Sequence, residues 1–201
     1  MKRLMILALM SVLSLSQATY GAERPHLVVN IVVGGLRCEE LERYKDNFFP
    51  DGFRYFMDNG VVCERSYYTS MQTNTAAALA TITTGTSPAV HGVVGEEWVD
   101  YTTAETVSLT GDQSASSFNT DIETYHVSNK NIVVPTLGDE LLNVSEHGSK
   151  VVTVATDATS AIVLGGMSSK KVYWLDSARG KWTTSNKYVD RLPSWIADYN
   201  T

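Results

Sequence analysis

The chain has 201 residues, 16 of them basic and 22 acidic, for a formal net charge of −6. Hydrophobic residues make up 43% and charged residues 19%, which is enough apolar side chain for a core and excludes disorder by composition. The acidic balance argues against a nucleic-acid or anionic-surface binder. Two cysteines and four scattered histidines exclude a zinc finger, a CxxC redox motif and a disulfide-dense scaffold.

Residues 1–18 have the pattern of a secretory signal peptide. Lys2 and Arg3 form a basic start, residues 4–15 an apolar run broken only by serines, and residues 16–18 a small-residue cleavage site ending at Ala18, with Gly21 and Ala22 as alternative later sites. The apolar run is shorter than the ~20 residues a membrane span needs, and no later stretch is longer. The expected location is therefore secreted or periplasmic, with no membrane span after cleavage and no nucleic-acid partner. Export would place Cys38 and Cys63 in an oxidising compartment. Two readings stay open: a bridge between them, or two buried free thiols, the reading favoured because Cys63 continues the apolar run of Val61 and Val62.

The remaining pattern is α/β. Residues 27–33 (LVVNIVV) are a nearly continuous β-branched run, expected as a parallel strand buried on both faces and broken by Gly34 and Gly35. Short helices are expected over 38–44 and 52–58, the second closed by Asn59 and Gly60. Residues 61–67 read as a second strand, 75–84 as an alanine-rich helix ended by Gly85, and 98–110 as short strands. Residues 111–131 are rich in Ser, Asn and Asp and read as a surface loop. Pro135 is expected to open a helix running through Leu142. A third buried strand follows over 150–155. A hairpin over 172–175 and 182–184 turns at 178–180, and a last helix covers 192–199. Alternating strands and helices predict a partly parallel sheet with helices on its faces.

Generic motifs add little. Gly34 and Gly35 lack the GxGxxG spacing and no P-loop lysine follows, so they read as a tight turn. His26, His91, His126 and His147 have no metal-ligand spacing and read as solvated or locally satisfied.

Several stretches together add more. They are RPHLVVNIVVGGLR (24–37), DGFRYFMDNGVVCERSYY (51–68), TNTAAALATITTGTSPAVHGVVGEEWVD (73–100), NIVVPTLGDELLNV (131–144), SKVVTVATDATSAIVLGG (149–166) and VYWLDSARGKWTTSNKYVDRLPSWIADYN (172–200). In number and order they resemble the N-terminal portion of the alkaline phosphatase superfamily. The resemblance is to the phosphate-irrepressible phosphatases and the type I phosphodiesterases and nucleotide pyrophosphatases. It implies residues 19–201 as a partial alkaline-phosphatase-like domain, with 111–131 as its surface loop. It also implies a chemistry in which two zinc ions clamp a phosphoryl group that a threonine or serine at a helix N-terminus attacks.

By that resemblance Thr75 is the nucleophile-equivalent residue, although as a helix-start threonine it is equally readable as a cap. The substrate-binding-equivalent positions are Asn74, Glu96, Asp157 and Thr159, and they are altered. Glu96 stands where the family has a phosphate-contacting asparagine. Asp157 and Thr159 stand where the phosphate-irrepressible enzymes have a lysine and an arginine. Gly34 stands where the family's first strand ends in a metal-binding aspartate, and Met167 where a histidine is common. A unit charge pair at 4 Å is worth roughly 4 kcal/mol at an effective dielectric of 20, so Asp157 for lysine turns the site against phosphate.

The resemblance therefore implies an exported family member that is catalytically degenerate, a pseudoenzyme or an N-terminal fragment. No cofactor is expected for this chain although the family uses zinc, because the remaining metal ligands belong to the family's second half. That missing half, a second copy or an envelope protein are the expected partners. Two alternatives remain: a metal-dependent phosphoric ester hydrolase using Glu96 and Asp157 with magnesium or calcium, or a non-enzymatic envelope interaction module anchored by Trp98, Trp174, Trp182 or Trp195.

Overall fold

Asn74, a run of small residues and Gly85 make a self-contained helix, and a computed structural model of the chain builds it as such. The structure describes residues 25–118, 126–145 and 148–201. The signal-peptide reading of 1–18 lies outside the described residues. The chain divides into two units, Met1–Arg54 and Tyr55–Thr201.

In the first unit α1 (Cys38–Arg43) leads through a 3-10 turn at Lys45–Asn47. Glu40 Oε2 accepts the Arg37 N–H at 3.1 Å, closing the helix start. The expected strand over 27–33 does not form. Its residues are irregular, with Leu27 77% and Ile31 70% exposed. β-branched composition favours extended backbone, but a buried parallel strand exists only where neighbouring strands take up its N–H and C=O groups. Helix α2 (Phe53–Asn59) crosses into the second unit.

The expected strand over 61–67 is likewise irregular and exposed. Cys38 and Cys63 are both free, as favoured, but both are exposed rather than buried. The apolar run that was to bury Cys63 is itself at the surface.

The second unit is built around α3 (Thr75–Thr84), α4 (Pro88–His91), the antiparallel ribbon β1 (Glu97–Val99) with β2 (Thr106–Ser108), and α5 (Leu137–Asn143). These are followed by β3 (Thr153–Ala155), α6 (Ala158–Gly165), β4 (Val172–Asp176), β5 (Lys181–Thr183) and α7 (Ser194–Tyr199). The β3–α6–β4 run is a parallel crossover unit, pairing Thr153 with Val172 and Ala155 with Trp174. Strand β5 returns antiparallel on β4 through the turn 177–180, as the hairpin pattern predicts. Sheet order is β3-β4-β5, so β3 lies at an edge.

Helix α6 is absent from the sequence reading. Its residues ATSAIVLG are buried nearly all round, so the 3.6-residue alternation that marks an amphipathic helix is missing. It packs on β3, β4 and α3. Gly165 permits the close approach: a Cβ there would lie 2.7 Å from Val172 Cγ2. With Trp174, Ile162, Val163 and Val172 fully buried, this layer is the core. Truncating a buried tryptophan typically costs about 3–5 kcal/mol.

Helix α5 begins at Leu137, two residues later than Pro135 predicts, with Thr136 as its cap. The Thr136 side chain and Asp139 form a reciprocal capping box. Within the expected surface loop 111–131, the described residues 111–118 and 126–131 are anchored. Ala115 and Ser128 are buried, Gly111 bridges to Val127, and Ser117 bridges to Ser185. Buried Asp112 holds it together, accepting from Ser114 Oγ at 2.6 Å and Ser128 Oγ at 2.8 Å with Lys187 Nζ at 3.9 Å. The serines above all, with Lys187 helping, hold its carboxyl at a pKa of about 2 despite burial.

Candidate functional site

The Asn74–Thr75 helix start is the best-built of the sequence-predicted positions. Asn74 has extended backbone, and its Oδ1 accepts from the Ala77 N–H at 3.0 Å. Its Nδ2 donates to the Val94 carbonyl at 2.8 Å. One side chain therefore caps α3 and fastens the segment leading to Glu96. Thr75 is the first helical residue and is exposed, so its hydroxyl faces solvent at a helix N-terminus. Free N–H groups and the dipole at such an end favour an anion.

Glu96 is exposed. Its side chain stands at the surface while its carbonyl accepts from the Leu109 N–H at 2.8 Å, starting the β1–β2 ribbon. Asp157 follows β3 and caps α6, its Oδ1 accepting from the Ser160 N–H at 2.8 Å. Thr159, on the first turn of α6, is half-buried. The C-terminal halves of α3 and α6 flank one small void with Thr136, and the two helices pack along each other. Their N-caps, Asn74 and Asp157, therefore lie at the end away from that void.

Gly34 is in the first unit, exposed, in a turn where an added Cβ would meet nothing within 4 Å. It has no side chain with which to bind a metal. Met167 is exposed, and its N–H donates to Asp139 at 3.1 Å. Among the described residues, no group of three or more His, Cys, Asp or Glu comes together to hold a metal ion. At Gly34, the position where the resemblance gives a metal-binding aspartate, the residue present does not fit zinc because it offers no donor.

Sequence reasoning did not single out Asp139 or the role of His91. Asp139 is fully buried and accepts from the Thr136 N–H, Thr136 Oγ1, Met167 N–H and Ser168 N–H. Burial works to raise its pKa, but these four donors outweigh it and the pKa is lowered. The legible signal was the T-x-x-D spacing from Thr136 to Asp139. His91 is satisfied locally, as expected, with hydrogen bonds at both ring nitrogens. Trp174 is buried in the core. Trp195 is exposed but lies edge-on to Tyr173 at 5.3 Å, so it is in part a packing residue.

The parallel β3–α6–β4 crossover places the chain in the α/β class. The crystal structure of wild-type alkaline phosphatase PafA is similar with TM-score 0.76 and 28% identity, over 81% of this chain and 31% of that one. A PafA variant with a threonine, an asparagine, a lysine and an arginine replaced is similar with TM-score 0.80, over 84% and 33%. The match is to the N-terminal portion of that fold.

The chain belongs to the type I phosphodiesterase / nucleotide pyrophosphatase family, whose model matches residues 28–201. Among curated relatives it is 32% identical to a protein named calcium-transporting ATPase of Myroides odoratus, over 89% of this chain and 32% of that protein. It is 31% identical to alkaline phosphatase PhoV of Synechococcus elongatus, over 88% and 32%. It is 30% identical to PafA of Elizabethkingia meningoseptica, over 92% and 34%. The chain spans about a third of the length of these relatives. Among the described residues, no helix is long and apolar enough to cross a membrane.

Proposed function

We propose that this chain is an exported member of the family in which the phosphate-contacting set is replaced, so that it does not turn over phosphoric esters. The observation that carries the reading is Asp157. It stands where the resemblance gives a lysine, and its Oδ1 is committed to the Ser160 N–H of its own helix at 2.8 Å. A carboxylate there accepts hydrogen bonds and repels a phosphate oxygen. Exposed Glu96 adds a second negative charge beside the segment that Asn74 fastens.

The spacing supports the assignment. In the substituted PafA, the replaced threonine and asparagine are separated by the same number of residues as Thr75 and Glu96. The replaced lysine and arginine are separated as Asp157 and Thr159 are. Of these four positions the threonine is retained at Thr75, while the other three hold Glu96, Asp157 and Thr159. Scaffold retained around an altered site is the pattern of a pseudoenzyme. Zinc takes no part in this reading, because Gly34 offers no donor. The N-terminal sequence pattern supports export.

Two measurements test it. Hydrolysis of a phosphomonoester and a phosphodiester with added zinc should match a Thr75→Ala control, and a rate well above that control overturns the reading. Inorganic phosphate should bind a Glu96→Asn, Asp157→Lys, Thr159→Arg variant at least tenfold more tightly than the parent, and equal affinity also overturns it. Mass spectrometry of the chain recovered from the periplasm or medium should show a new N-terminus after Ala18. Recovery only from the cytoplasm with residues 1–18 intact would refute export.

A further inference from the structure

His91 is 2% exposed and uses both ring nitrogens. Its Nδ1 lies 3.1 Å from the Val93 N–H, which can only donate, so Nδ1 accepts. Its Nε2 lies 3.1 Å from Thr81 Oγ1. The Thr81 hydroxyl has one proton and gives it to the Ala77 carbonyl at 2.8 Å, so Nε2 carries the hydrogen. The ring is therefore fixed as the neutral Nε2–H tautomer.

We infer that His91 is an acid-sensitive latch, holding the 92–96 segment against α3 when neutral and releasing it when protonated. A proton on Nδ1 would face the Val93 N–H donor to donor and break that bond. The next residue, Val94, is the one whose carbonyl takes the Asn74 amide. The segment is thus held at two adjacent points, and the latch governs one of them. Loss of it loosens the approach of Glu96 to the Asn74–Thr75 helix start. The inference does not depend on the phosphate reading.

Among the described residues, those that line the ring's void offer the imidazolium no charged partner. The elements packed around the ring contribute Thr83, Thr84, Ile132, Val134, Thr136 and Val163 to its void, and none of these titrates. Asp139 stands behind Thr136 with its oxygens already engaged by four donors. Glu96 and Glu97, farther along the same segment, are exposed. Burial accordingly pushes the His91 pKa below its ordinary 6.5.

The sign follows. Between the folded pKa and 6.5 the unfolded chain binds the proton that the folded chain refuses. Stability is full above 6.5 and falls as pH drops through that window, by up to about tenfold in the folding constant per pH unit. The buried carboxylates Asp112 and Asp139 act lower, below 3.8.

The test is NMR on the unmodified chain from about pH 7.5 to about 4.5, the range of histidine switches. The His91 ring should resist protonation well below 6.5, and the Val93 amide should lose exchange protection before the amides of β4 do. His91→Gln should flatten the pH dependence of urea stability over the same range. A ring titrating at its ordinary 6.5 with unchanged Val93 protection would overturn the inference, and this readout stands even if His91→Gln does not fold.

Discussion

The side chain of Asn74 donates to the Val94 carbonyl at 2.8 Å while the same side chain caps α3. A helix start and a segment 20 residues later are thereby held by one amide. Asn74→Ala removes both bonds and should cost about 1–2 kcal/mol in urea denaturation. Asn74→Asp keeps the cap acceptor and loses only the donor to Val94. Its loss should be about half as large; equal losses would show that the cap contributes nothing, and no loss in Asn74→Asp that the Val94 bond contributes nothing.

Asp139 fills a ring of donors from Thr136, Met167 and Ser168, tying the start of α5 to the end of α6. Asp139→Ala leaves buried N–H groups without a partner and should cost about 2–4 kcal/mol. Equilibrium unfolding of the variant checks it.

Acid unfolding should show the same carboxylates. Asp112, held at about 2 by its serine hydrogen bonds, and Asp139, also lowered, contribute stability that is full above the unfolded value of 3.8. That contribution is lost as pH falls from 3.8 toward 2, because the unfolded chain then binds protons the folded one does not. Ser128→Ala should raise the Asp112 midpoint toward 3.8, read by carboxylate NMR.

Gly166 has φ +68, and an added Cβ would run into Thr136 and Asp139. Gly166→Ala combines left-handed strain with that clash and should cost at least about 1–3 kcal/mol. Gly85→Ala, also at positive φ but with nothing within 4 Å, should cost less. Thermal midpoints of the pair give the ranking.

Among the described residues strand β3 lies at the edge of its sheet, with Val154 within it 51% and Val152 just before it 54% exposed. An open edge with apolar side chains pairs with another copy. The chain should sediment above monomer mass as concentration rises, and Val154→Lys should shift it back toward monomer. A clean monomer at high concentration would contradict this.

Much of the second unit was legible because its signals are local. Asn74, the alanines and Gly85 specify α3 without reference to the rest of the chain. The turn 177–180 between two short runs rich in aromatic and β-branched residues specifies the β4–β5 hairpin in the same way. Helix α6 was not legible, because burial on all sides erases the periodicity by which a helix is seen in a sequence. The 27–33 and 61–67 runs have the composition of strands and form none. Pairing is a property of two segments, and composition reports only one.

By itself the sequence determined the α/β class and the capped helix beginning at Thr75. Tertiary structure alone decided that Asp157 spends its carboxylate on α6 and that Asn74 reaches across to Val94. It also decided that His91 is fixed in one tautomer and that Asp139 is saturated by four donors. Residue identity supplies hydrogen-bonding capacity. Which partner uses that capacity depends on chain segments brought together from far apart.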